Sequence, residues 1–234
     1  MEFIRHAARL NNEAVSLLVS GHNQSALQSL VKSIAVLKRV SRKLIQMPSS
    51  SVTFNEEVSL PIDSPDRQVV APTLCIHFAS SPLEQLDDRQ CYIYDHALSL
   101  NLEQQEDTPI NDVAQACCAV VIFNMALAHH RGCLLGDKKC LKRATMLYAM
   151  VVKLLRNTCS VTGTAGIVKL ASINNLAQLR FSEGDFRQAR EEMNHLSVLM
   201  QFTKSQEFLM VDCDLRAILL NVMFLRPPEI AAAA

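Results

Sequence analysis

Two stretches, residues 11–33 and 174–196, repeat one spacing of small, glycine and apolar residues. Ala14 and Ala177 are each followed seven positions later by glycine, Gly21 and Gly184. A second alanine stands five beyond the glycine, Ala26 and Ala189, and an apolar residue four further on, Leu30 and Met193. A distorted third copy carries Asn124-Met125-Ala126, then Ala144, Tyr148 and Val151. Self-similarity of this kind is the mark of stacked helix pairs, each unable to bury its apolar face alone. Small residues are needed where two helices of a pair cross closely, and glycine lets the chain turn through a left-handed conformation between them. The pattern specifies a scaffold and carries no chemistry.

Composition agrees. Only six Gly and eight Pro occur in 234 residues, which argues for long helices over a turn-rich β fold. Formal net charge is zero, so nothing global draws the chain to nucleic acid or an acidic membrane. The eight cysteines include no CxxC, and Cys117 and Cys118, adjacent on a helix, diverge too far to form an ordinary disulfide. They read as reduced thiols of an intracellular, cytoplasmic protein. Glu2, Arg5, His6 and Arg9 interrupt any apolar signal at the start. Val113–His130 is uncharged, but Gln115, Asn124, His129 and His130 make it read as a buried helix, with no membrane span.

Helical periodicity covers residues 3–20, 23–45, 111–131, 138–156, 163–182, 185–202 and 205–225. Asn23 and Asp185 are placed to cap two of these helices. Residues 1–47 form a first hairpin, 111–226 a helical array ending in a capping helix, and 227–234 a tail. Residues 48–110 differ in kind, holding six of the eight prolines and much Ser and Asp. They read as an insertion, partly extended and partly disordered, in which Cys91-Tyr92-Ile93-Tyr94 is β-prone and a small hairpin can pack on the helices. Glu84, Asp87, Asp88, Asp95, Glu103, Glu106 and Asp107 make it acidic. Lys32, Lys38, Arg39, Arg42 and Lys43 make the second helix basic, as do Lys138, Lys139, Lys142 and Arg143 the fourth. The insertion could therefore fold against basic helices and shield a binding surface, although exposed ion pairs contribute only about 0–1 kcal/mol each.

The chain resembles the tetratricopeptide repeat, a helix-turn-helix unit of about 34 residues. Residues 170–203 match it through Ala177, Gly184, Phe186, Ala189, Met193 and Leu196. Residues 7–40 match through Ala14, Gly21, Ala26, Leu30 and Ser33, with Asn23 in place of the family's aromatic residue. In the middle copy Ala126 and Ala144 lie eighteen positions apart, where the other copies have twelve, which places about six extra residues in the turn around Leu134–Cys140. The family's Trp and late Pro are absent. The resemblance implies an all-α fold of antiparallel helix-hairpin repeats, a right-handed superhelix, with the insertion after the first hairpin.

It also implies a concave groove that binds a peptide or helix of a protein partner. Asn12, Asn124 and Asn175 share one repeat position on that groove, where an amide can donate to and accept from a ligand backbone. His130, Gln178 and Phe181 are expected on or near the same face. The basic residues of the family's carboxylate clamp are missing, since Asn11, Phe123 and Asn174 occupy one of its positions and Ala8, Val120 and Ala171 another. His129, His130, Cys133 and Cys140 include zinc-ligand types in a spacing that fits no standard zinc module. No nucleophile elbow, phosphate loop, HExxH or paired-acid motif occurs, and no cofactor is implied. The expectation is a non-enzymatic adaptor. The alternative is an RNA-binding helical repeat, which needs a basic groove, whereas Val15, Leu18 and Leu127 make this one apolar.

Overall fold

The computed structural model describes residues 1–46, 73–77, 92–102, 110–156, 163–203 and 212–225. Among them are seven helices: α1 Glu2–Val19, α2 Asn23–Gln46, α3 Ile110–Leu134, α4 Lys138–Leu154, α5 Gly163–Ser182, α6 Phe186–Thr203 and α7 Asp212–Leu225. Two strands, β1 Thr73–His77 and β2 Ala97–Asn101, pair antiparallel with Thr73 opposite Asn101 and His77 opposite Ala97. The protein is all-α in character, as the periodicity implies.

Three short turns fold α1 on α2, α3 on α4 and α5 on α6. Each turn holds a glycine at positive φ: Gly21 at 79°, Gly136 at 95° and Gly184 at 81°. Residues with a side chain rarely adopt that conformation. At the first turn, Gly21 N–H donates to Leu18 C=O at 3.1 Å and His22 N–H to Leu17 C=O at 2.8 Å, closing the end of α1. The small residues lie at the helix crossings: Ala14, Ala26, Ala126, Ala144 and Ala177 are fully buried and Ala189 is 1% exposed. Asp185 caps α6 by accepting from Gln188 N–H at 3.2 Å, and Asp137 caps α4 by accepting from Lys139 N–H at 2.9 Å. Asn23 begins α2, but its buried side-chain oxygen has no hydrogen-bond partner, so it does not act as the expected cap.

The middle hairpin corrects a second expectation. Its turn, Leu135–Asp137, is as short as the others. From Ala126 to the end of α3 is eight residues, against five from Ala14 to the end of α1 and from Ala177 to the end of α5. From the start of α4 to Ala144 is six, against three in the other two hairpins. The six extra residues therefore add three to each arm, close to one helical turn, and lengthen the hairpin by roughly 4–5 Å. Leu134 and Leu135 at its tip are 63% and 84% exposed.

α3 is the central helix. It packs on α1, α2, α4, α5 and β2, and fifteen of its 25 residues are buried. It is long and apolar enough to cross a membrane by length and composition, but its apolar window is largely enclosed by the other elements.

Part of the 48–110 insertion lies in the core. Tyr92, Tyr94, Ala97, Leu98 and Leu100 belong to the main core, and Tyr94 and Leu98 are fully buried. Residues 92–96 lead, without regular secondary structure, into β2, which begins after the Cys91–Tyr94 stretch that reads as β-prone. Residues 48–72, 78–91 and 103–109, on which the expected disorder and most of the acidic charge fall, lie outside the described residues, as does the 227–234 tail.

Candidate functional site

An extended chain in a helical groove has a problem of backbone hydrogen bonding, because a helix offers no free ladder to pair with. Here asparagine side chains supply it. Leu100 N–H donates to Asn12 Oδ1 at 2.7 Å, and Asn12 Nδ2 donates back to Leu100 C=O at 2.8 Å. Asn124 grips Leu98 in the same two-bonded way, at 3.0 and 2.8 Å. Asn175 grips Tyr94, at 2.8 Å for both bonds. Asn221 grips Tyr92, at 2.9 and 2.6 Å. The four amides come from α1, α3, α5 and α7, so segment 92–100 runs across the array in the order opposite to the helices.

The ladder is itself a repeat of two modules. In the first, Asn12 holds residue 100 while Asn11 and Asn124 both donate to Leu98 C=O, at 2.9 and 2.8 Å. In the second, Asn175 holds residue 94 while Asn174 and Asn221 both donate to Tyr92 C=O, at 3.1 and 2.6 Å. In each module the distal amide also donates to the first asparagine of the doublet: Asn124 to Asn11 at 2.9 Å and Asn221 to Asn174 at 2.7 Å. All gripped residues are even-numbered. Successive residues of an extended chain turn their backbone groups to opposite sides, so the odd residues of β2 face β1.

Asn12, Asn124 and Asn175 thus stand together on the groove and hold a peptide backbone, and that backbone belongs to the same chain. Asn11 and Asn174 enter the sequence reading only as occupants of a clamp position, and Asn221 not at all. The Asn-Asn doublet, present at the same place in both clear repeats, was the available signal for two of them. Arg131 was also missed. Its guanidinium donates to Leu18 C=O at 2.7 Å and to Asp95 C=O at 2.8 Å, bridging α1 to the middle of the segment where no asparagine reaches.

The other expected groove residues divide. His130 is buried at the end of the groove, with its Nδ1 3.4 Å from the Tyr148 hydroxyl. Burial pushes its imidazole down to about 4, with the Gln178 side chain opposing. Tyr148 in turn receives a bond from Asn175 Nδ2 at 3.0 Å, and its hydroxyl is held above its ordinary value by burial. Gln178 is half-buried beside them. Phe181 stands apart. It is 41% exposed at the α5–α6 turn, edge-on to Phe186 at 5.1 Å, and takes no part in the ladder. It packs on the hairpin tip because the last turn of α5 extends past the segment.

Among the described residues, Asp95 makes no ion pair with the basic α2 or α4. Of the acidic residues of the insertion, Asp95 alone is described, and its carboxylate lies 3.6 Å from His96 Nδ1. The contacts that hold residues 92–100 are amide bonds, the Arg131 guanidinium on Asp95 C=O, and apolar burial. The cysteine and histidine set around the α3–α4 turn does not converge either: His130 faces Tyr148, while Cys140 Sγ donates to Asp137 Oδ2 at 3.3 Å. Cys117, Cys118, Cys133 and Cys140 are free thiols. Burial raises Cys117 to about 12 and Cys118 to about 11, which keeps both protonated and unreactive.

No family model, curated protein or solved structure shows significant similarity to this chain.

Proposed function

We propose that the protein is a non-enzymatic interaction scaffold of tetratricopeptide-like repeats, whose concave groove binds extended peptide, and that segment 92–102 is its resident occupant. The observation that carries this reading is the asparagine ladder. Four amides on four helices each bind both backbone groups of one residue. Such a grip reads main chain and not side chain, so it accepts any extended peptide whose side chains fit. The pockets around Tyr94, Leu98 and Leu100 then set the preference for aromatic and aliphatic residues. A partner must either replace the resident segment or bind a face outside the groove. Replacement is opposed by the high effective concentration of a tethered ligand.

The test uses a labelled peptide with the sequence of residues 91–102. The full chain carrying Tyr94→Ala and Leu98→Ala, which loosens the resident segment, should bind the peptide at least tenfold more tightly than the unaltered chain. Adding Asn12→Ala should reverse the gain. If the loosened chain keeps its helical circular dichroism and binds no peptide, the segment is solely part of the core and the groove reading fails. Hydrogen exchange on the unaltered chain gives a second reading. Amides of Tyr92, Tyr94, Leu98 and Leu100 that exchange faster than the α3 core would show the segment leaving the groove without global unfolding.

A further inference from the structure

The turn added to α4 also contributes to a site outside the ladder. α2 and α4 both pack on α3, and between them lies an open cleft of about 560 Å³. Asp137, the cap of α4, and Cys140, in the turn added to that helix, are among its lining residues. Its apolar wall is Leu27 and Val31 of α2 with Met125 of α3. Its floor includes His129, which is 9% exposed. Lys32 from α2 and Arg143 from α4 also line the cleft, and neither makes an ion pair among the described residues.

We propose that this cleft binds a small amphiphilic anion, with its carboxylate or phosphate between Lys32 and Arg143 and its apolar tail along Leu27, Val31 and Met125. Two exposed cations on different helices, against the single carboxylate of Asp137, leave the charged lining of the cleft net positive. Asp137 makes no ion pair with either cation among the described residues; its oxygens accept from Lys139 N–H and from Cys140 Sγ. Burial first and Arg143 second hold the His129 imidazole below its ordinary value, against Asp137, so near neutral pH it meets the ligand uncharged and as a hydrogen-bonding group. The cations then provide the attraction, and His129 with the apolar wall provides shape. The site is independent of the groove: it shares no residue with the ladder or with segment 92–102.

Titration calorimetry of the full chain with hexyl phosphate and with hexanoate tests this, with hexanol as the uncharged control. The anions should bind saturably, one to one, and at least tenfold more tightly than hexanol. Lys32→Gln with Arg143→Gln, both on exposed side chains, should lower anion affinity at least tenfold and leave the melting temperature of the free protein unchanged. Val31→Asp should abolish binding of both anions. On the unaltered chain, the His129 ring resonances should shift with the same saturation curve. Absence of saturable anion binding, equal affinity for hexanol, or full affinity in the doubly substituted chain would each overturn the proposal. Binding of one anion and not the other would identify the headgroup class and uphold the site.

Discussion

Asn175 holds Tyr94 by both of its backbone groups, accepting from its N–H and donating to its C=O at 2.8 Å each, although the two residues are 81 positions apart. Both side chains are fully buried. The same amide nitrogen also reaches the Tyr148 hydroxyl at 3.0 Å, tying the segment to α4 through α5.

Asn175→Ala should therefore destabilise the protein. It would leave a buried N–H and a buried C=O unpaired, at about 1–3 kcal/mol for each such group, so a loss of about 2–4 kcal/mol is expected. Asn175→Asp should be at least as harmful, because it retains the acceptor, removes both donors and buries a charge. Urea denaturation of both variants checks this. An amide lining an empty groove would bear no such load, and alanine at Asn124 or Asn175 would then spare the melting transition. An unaltered midpoint in the alanine variants would show that the segment does not occupy the groove in solution.

Ala189→Leu should destabilise by about 1–3 kcal/mol. Ala189 is 1% exposed and opposes the fully buried Ala177 across the α5–α6 crossing, where added carbons can only push the helices apart. Ala189→Gly should cost only about 1 kcal/mol, through helix propensity. Denaturation midpoints distinguish the two. Equal losses would mean that the crossing has room.

Acid should weaken the fold through His130. Its folded value, about 4, lies below the ordinary 6.5, so between those values the unfolded chain takes up a proton that the native chain refuses. Stability is at its full level above about pH 6.5 and declines as pH falls towards 4, by up to about 3 kcal/mol. Burial lowers His129 and His195 in the same sense. His130→Gln, which cannot be protonated, should flatten the decline even if it lowers stability at pH 7. Thermal melts from pH 7.5 to 4.5 provide the comparison, and parallel curves for the two proteins would rule out His130 as the cause.

What could be read from the sequence follows from how local each signal is. The hairpins were legible because Ala14 and Ala26, or Ala177 and Ala189, sit twelve residues apart with a glycine between, and the packing that demands them is equally local. Asn12, Asn124 and Asn175 were legible as a backbone-binding set because they share a repeat position. Their ligand was not. Residues 96–100 show no apolar-polar alternation, because His96, Ala97, Leu98, Ser99 and Leu100 are all buried, and in 92–95 the half-buried positions are Ile93 and Asp95 beside buried tyrosines. Its hydrogen bonds reach residues between 26 and 129 positions away, which no window on the sequence spans. The added length of the middle hairpin was visible as a count of six residues. Spacing alone does not distinguish a longer loop from longer helices, and the three-residue turn at Leu135–Asp137 decides for helices.

Arg131 joins α1 to the segment at the point where the two asparagine modules leave a gap, between residues 94 and 98. One guanidinium nitrogen donates to Leu18 C=O at the end of α1 and the other to Asp95 C=O. Two acceptors served by two nitrogens of one planar fork cannot be served in the same way by the single ammonium of lysine. Arg131→Lys should therefore recover little of what Arg131→Met loses, about 1.5–3 kcal/mol for a charge-assisted bond whose acceptor stays enclosed. Both variants should also speed hydrogen exchange at Tyr94 and Leu98, on either side of the gap, before they affect the α5–α6 hairpin. If exchange rises evenly through all helices, Arg131 contributes only to global stability. If it rises first at residues 94–98, the guanidinium is what keeps the middle of the strand in its groove.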